Sequence, residues 1–271
     1  MRRLRDAAGL PLQTMKFVDI EEARAAPGVR LVVMGATPSP WSEAAKGIFV
    51  AKGIDVMLVR FLPSDAAVKQ WTGFHNAPAL FIDAEPPRAH WSEIIEAAER
   101  LGGHARLVPV DADERIRTFG LAHELLGEGG LVWSGRLLAI HRGLTTEGRE
   151  GFPLRLASNL APKYGYAPER AAVAKERVTS VLERFGRLVE ANDARGQKHL
   201  FGDRLSVLDI YVATALAPFA PLPPEQCPGM HPAMRHAFDT AYPELTAAVP
   251  VALREHRDLV YRRHLGLPIE L

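Results

Sequence analysis

The sequence predicts an α/β domain followed by an all-α domain. Between residues 30 and 102, apolar runs of strand length alternate with segments of helical period. From Asp111 onward every periodic segment is helical. A Gly- and Pro-containing stretch, residues 102–109, joins the two halves. The expected organisation is an N-terminal extension over residues 1–29, an α/β domain over 30–105 and a helical domain over 111–265.

The first half is organised around Thr37, Pro38, Ser39, Pro40, Trp41 and Ser42, between the apolar runs 31–34 and 56–59. This reads as strand, turn, helix, strand. Ser39 precedes a proline and is biased away from the α region. Pro40 suits a first helical position, where its missing N–H would have had no partner. Ser39 is thus an N-cap candidate, and Gly53 is the left-handed stop. A helix N-terminus with a hydroxyl and several N–H donors can hold an anion, a thiolate included.

Next, Asp65 caps a short helix to about Trp71, and residues 72–76 form a loop. Residues 77–83 are an apolar strand with Pro78 near its start, where a lost donor is tolerated. Residues 88–90 are expected to return as a short antiparallel strand, and Ser92 opens a helix to Leu101. The predicted order is β-α-β-α-β-β-α, with the first two strands parallel because a crossover helix joins them. Helices then follow over about 111–126, 131–141, 168–191, 206–217, 232–241 and 244–264. The run from Ser206 is the most apolar and is expected at the centre. Ser206 and Asp209 make a capping-box pair, with Leu205 and Ile210 as its hydrophobic staple. Within residues 1–29 a short helix over 19–26 is expected, in a packing arm or partly ordered tail.

Composition narrows the function. The chain has 271 residues, 47% hydrophobic and 24% charged, with a formal net charge of +1. No global field marks a nucleic-acid or anionic-membrane partner. The basic start lacks an apolar core of signal-peptide length, and no run approaches the ~20 apolar residues of a bilayer span. Cys227 is the single cysteine, so no internal disulfide forms, and no histidine spacing suggests a metal site. A soluble cytoplasmic protein without a metal is expected.

Three pieces, in order along residues 30–217, resemble the glutathione S-transferase superfamily, whose first half is thioredoxin-like. Ser39, Pro40, Trp41 and Ser42 with Lys52, Gly53 and Ile54 look like its first helix. Ala77, Pro78, Ala79 and Leu80 look like its segment with a cis proline. The stretch from Phe201 to Ile210 is similar to its capped central helix. The resemblance implies a thioredoxin-like domain plus an all-helical domain, glutathione as cosubstrate, and usually a homodimer. It implies that the thiolate attacks a small hydrophobic electrophile, in conjugation, cleavage or isomerisation. A non-catalytic binding or regulatory module on the same fold is the alternative.

Under this resemblance Ser39 is the catalytic hydroxyl of a serine-type site; a plain helix cap is its other reading, with Thr37 and Ser42 as substitutes. A free thiol titrates near 8.5, and lowering it by about two units needs about 2.7 kcal/mol of preference for the thiolate. A charge-assisted hydrogen bond with a helix end supplies an energy of that order. Ser42, Asn76, Ala77, Pro78, Trp91 and Ser92 would bind glutathione. Ala77 would pair its backbone with the extended tripeptide, and Ser92 would hold the glutamyl carboxylate. Trp91 stands where the family has an acidic or amide residue, which removes a usual glutamyl contact. The second-substrate pocket would be walled by Trp41, Phe119, His123 and Trp133.

Overall fold

The computed structural model describes residues 15–271. Its first domain is a four-stranded sheet in the order β1-β3-β2-β4. These strands are β1 (Lys16–Phe17), β2 (Val29–Met34), β3 (Met57–Phe61) and β4 (Ala79–Ile82). β2 and β3 run parallel, joined by α2 (Pro40–Lys52), and β4 is antiparallel to β2. Helices α1 (Ile20–Ala25), α3 (Ala66–Thr72) and α4 (Trp91–Leu101) complete the domain.

The α/β half expected from the sequence is thus present, with two differences. The stretch read as an extension supplies, besides the short helix expected there and found as α1, an edge strand, β1 pairing parallel with β3. Its first fourteen residues lie outside the described ones. The returning strand expected at 88–90 shrinks to one bridge, Leu80 opposite Arg88. The chain there turns at once into a cap: His90 is the N-cap of α4, and its side chain accepts from the Ser92 N–H. A residue committed to capping cannot extend a ladder.

The second domain contains α5 (Ala112–Leu126), α6 (Leu131–Thr145), α7 (Leu154–Leu160), α8 (Pro168–Asp193) and α9 (Val207–Ala215), then α10 (Pro232–Ala241), α11 (Pro243–Ala248) and α12 (Val251–Val260). The helix expected over 244–264 is broken. Pro250 separates α11 from α12 because it lacks the N–H that a continuous helix requires. A π-helical turn, Tyr261–Leu265, follows α12.

Every residue of α9 is buried, as its composition predicted. Its capping box forms: Asp209 accepts from the Ser206 N–H at 2.8 Å and hydroxyl at 2.6 Å. The other carboxylate oxygen of Asp209 takes the Leu200 N–H at 2.9 Å and lies 3.1 Å from His256 Nε2. One side chain therefore joins the cap of α9 to α12.

The two domains share a core. Gly47 on α2 lets α9 approach so closely that a β-carbon there would lie 2.9 Å from Ile210. The joining stretch is buried at Leu107 and Val108, and the Leu107 carbonyl receives the Val207 N–H. Residues 267–271 fold back onto the sheet domain, where Lys46 Nζ donates to the Glu270 carbonyl at 2.6 Å and Arg60 Nε to that of Leu271 at 2.6 Å. Lys46 also neutralises buried Glu43, 2.9 Å away; burial still holds the Glu43 carboxyl above its usual value. Among the described residues no helix is long and apolar enough to cross a membrane.

Candidate functional site

Strand direction brings the predicted site residues to one end of the sheet. β2 ends at Met34, and Ser39 follows it at the start of α2. Antiparallel register sets Val32 opposite Ala79, so Ala77 and Pro78 enter β4 beside that end of β2. The bridge of Leu80 to Arg88 then carries the chain back past Pro78 into the N-terminus of α4. Two helix N-termini and the start of β4 converge there by topology alone.

Ser39 occupies the N-cap position of α2 in an extended conformation, and Pro40 follows it as the first helical residue. Its carbonyl accepts the Glu43 N–H at 2.8 Å, but its side chain makes no capping hydrogen bond. The hydroxyl is thus left for something else, on a residue only 5% exposed. Ser42 is different: wholly buried, it accepts the Met34 N–H at 3.0 Å and ties β2 to α2. That bond uses its oxygen inside the fold, so Ser42 presents no face to a ligand.

The Ala77–Pro78 peptide is cis, as the resemblance implied. Ala77 takes no rung of the β2–β4 ladder, and Asn76 before it is half-buried. At α4 the chain serves its own helix end. His90 Nδ1 lies 2.8 Å from the Ser92 hydroxyl, and the Glu93 carboxylate accepts the His90 N–H at 3.2 Å. Ser92 and the first turn of α4 are thereby occupied by their own neighbours.

Trp91 turns into the domain interface. Its ring meets Tyr211 edge-on at 5.9 Å and Phe119 at 6.1 Å. Phe119, expected to wall a pocket, is used in this packing, with the Arg115 guanidinium 4.7 Å from its ring centre. His123 is exposed on α5. Trp41 bridges the domains, its indole N–H donating to the Leu126 carbonyl at 2.8 Å. Trp133 is half-buried on α6, its ring 4.7 Å from that of Tyr164.

Three residues around Trp41 and Trp133 escaped the sequence reading: Arg136, Lys163 and Tyr164. Arg136 lies one turn after Trp133, on the same face of α6. It is only 8% exposed, with its guanidinium 5.9 Å from the Trp41 ring and 5.3 Å from that of Phe152. Lys163 Nζ sits 5.5 Å from the Tyr164 ring. Burial raises the Tyr164 phenol, and the charge of Arg136 offsets this in part. Desolvation, then the like charge of Arg136, holds Lys163 below the ordinary lysine value. The available signal was a lone cation within the apolar run of α6.

This fold is that of the glutathione S-transferases: a thioredoxin-like domain and an all-helical domain. A glutathione S-transferase of Methylobacterium radiotolerans, solved with glutathione sulfonate, shares 18% identity over 90% of this chain and 96% of its own, with a TM-score of 0.57. A glutathione transferase family member of Pseudomonas fluorescens, with two glutathione molecules bound, shares 11% over 91% and 97%, with a TM-score of 0.60. The beta-etherase LigF of Sphingobium shares 16% over 78% and 98%, with a TM-score of 0.53. A scan of protein-family models found no match. A search of curated proteins found none either.

Proposed function

We propose that this chain binds glutathione at the N-terminus of α2 and activates its thiol for attack on an electrophilic carbon, in the manner of the serine-type transferases. The observation that carries the reading is the Ser39 hydroxyl, which stands at a helix N-terminus without a capping hydrogen bond. A hydroxyl donating to sulfur, together with the partial positive charge of the helix end, favours thiolate over thiol. The thiol proton leaves to solvent. The sulfur then forms a bond to the electrophilic carbon, and a leaving group departs with its bonding electron pair. Ala77 and Asn76 would align the tripeptide at the start of β4. Similar folds solved with glutathione or glutathione sulfonate bound support this reading.

A calorimetric titration with millimolar glutathione tests it. A binder is stabilised by RT ln(1 + [L]/Kd) in a parallel thermal scan. Ultraviolet titration of the bound thiol should place its pKa about two units below the free value near 8.5. Absence of both heat and thermal shift would remove the proposal.

The closure of α4 by His90, Ser92 and Glu93 favours a second reading, a module on this fold that binds a partner and does not turn over glutathione. Glutathione binding with an unshifted thiol would select it.

A further inference from the structure

Among the described residues Arg136 is a buried charge without a counter-charge. Its residue is more than nine-tenths buried, yet it joins no ion pair among the described residues. Burying a charge is costly unless it is paired and hydrogen-bonded. The rings of Trp41 and Phe152 answer the charge partially but offer no acceptor to its fork of N–H donors. Tyr164 is its polar neighbour, and the Arg136 charge acts on that phenol. Lys163 adds a second cation beside Tyr164. The cluster reaches the surface, because Lys163 is exposed and Trp133 half-buried. It also carries an indole N–H at Trp133 that is buried and has no partner among the described residues.

Its position joins it to the candidate thiol site. Trp41 lies two residues after Ser39, in the first turn of α2, and Arg136 faces the Trp41 ring. A ligand on Arg136 would therefore stand beside the α2 N-terminus.

We propose that this cluster is the second-substrate site and that it selects an aromatic electrophile carrying a carboxylate. Arg136 receives the carboxylate through its planar fork, the geometry that suits bidentate pairing. Trp133 and Tyr164 hold the flat apolar body, and Lys163 steers the anion inward. The inference deepens the transferase reading and rests on it for the reaction, though not for binding. It replaces the merely hydrophobic electrophile expected from the resemblance with an anionic one.

Calorimetric titration of the full chain with 2-naphthoate and with its neutral isostere 2-naphthamide tests this. The acid should bind at least about tenfold more tightly than the amide, as expected for a charge-assisted hydrogen-bonded pair against a neutral contact. Arg136→Gln should bring the two affinities within about twofold, because the charge that discriminates them is gone. Arg136→Lys should keep a reduced preference, since a point charge replaces the fork. Equal affinities in the unaltered chain would overturn the proposal, and so would an undiminished preference in Arg136→Gln. If that variant fails to fold, Lys163→Met decides: the preference should fall about two- to threefold as one rim charge is lost, and an unchanged ratio would count against the site. Glutathione titrated separately reports on the α2 site. Naphthoate binding without glutathione binding would therefore remove the transferase reading and leave this one standing.

Discussion

His199 and His264 present their Nε2 atoms to each other at 3.0 Å, one from the turn before α9 and one from the π-helical turn after α12. Only one proton fits between two such nitrogens, so one ring donates and the other accepts. Desolvation, then the neighbouring His199, lowers His264 to about 4, and desolvation lowers His199 as well. The unfolded imidazole takes its proton near 6.5. Between about 6.5 and about 4 the unfolded chain therefore binds more protons than the folded one. Stability contributed by this pair is complete above that window and is lost as pH falls through it. Thermal unfolding followed by circular dichroism should show a falling midpoint over this range, and His264→Gln should flatten the fall. A midpoint independent of pH there would refute the assignment.

Asp209 should give the largest stability loss of any single polar truncation on α9. Its carboxylate serves Leu200, Ser206 and His256 at once, with no exposure to water. Removing one partner of a buried pair typically costs about 3–5 kcal/mol. Asp209→Ala should lower the urea midpoint accordingly with an unchanged slope. A loss below about 1 kcal/mol, the size of an ordinary cap, would mean the box acts alone.

Ser39→Ala separates chemistry from folding. A bonded N-cap hydroxyl contributes about 0.5–2 kcal/mol, but this one makes no capping bond, so stability should change by less than about 0.5 kcal/mol. With an electrophile that the chain turns over, kcat/KM should fall about 10- to 100-fold, matching the 1.5–3 kcal/mol of a hydrogen bond to a charged group. A large drop in the melting midpoint with intact turnover would reverse both assignments.

Gly47→Ala probes the seam between the domains. The added methyl would meet Ile210 at 2.9 Å and Leu265 at 3.1 Å, inside normal packing distance. Overpacking of this kind costs about 1–3 kcal/mol even though alanine is the better helix former. Denaturant titration of the variant should show destabilisation. A gain in stability would mean that α2 and α9 slide apart freely.

Local chemistry made the site's frame legible. Ser39 before Pro40 marked a helix start, Pro78 stood at a strand entrance, and Ser206 with Asp209 announced a capped central helix; each is a short-range signal the backbone must obey. Residues 15–29 were harder to read because a two-residue strand leaves too few positions for a period-two pattern. Trp91 read as a gap in a ligand site, whereas its ring is a core contact to Phe119 and Tyr211.

What the sequence determined by itself is the order of elements, their caps and breaks, and the division into a mixed first half and a helical second half. What only the tertiary structure decided is which polar groups were already used and which were left over. Ser42 and Ser92 are engaged by their own chain, while the buried Ser39 hydroxyl makes no capping bond and the buried Arg136 guanidinium joins no ion pair among the described residues. The reason is physical: hydrogen bonding between neighbours in sequence follows from local geometry, but the neutralisation of a charge depends on residues brought near it from distant parts of the chain. Arg136, Trp41 and Tyr164 lie far apart in sequence and meet only once the two domains have packed.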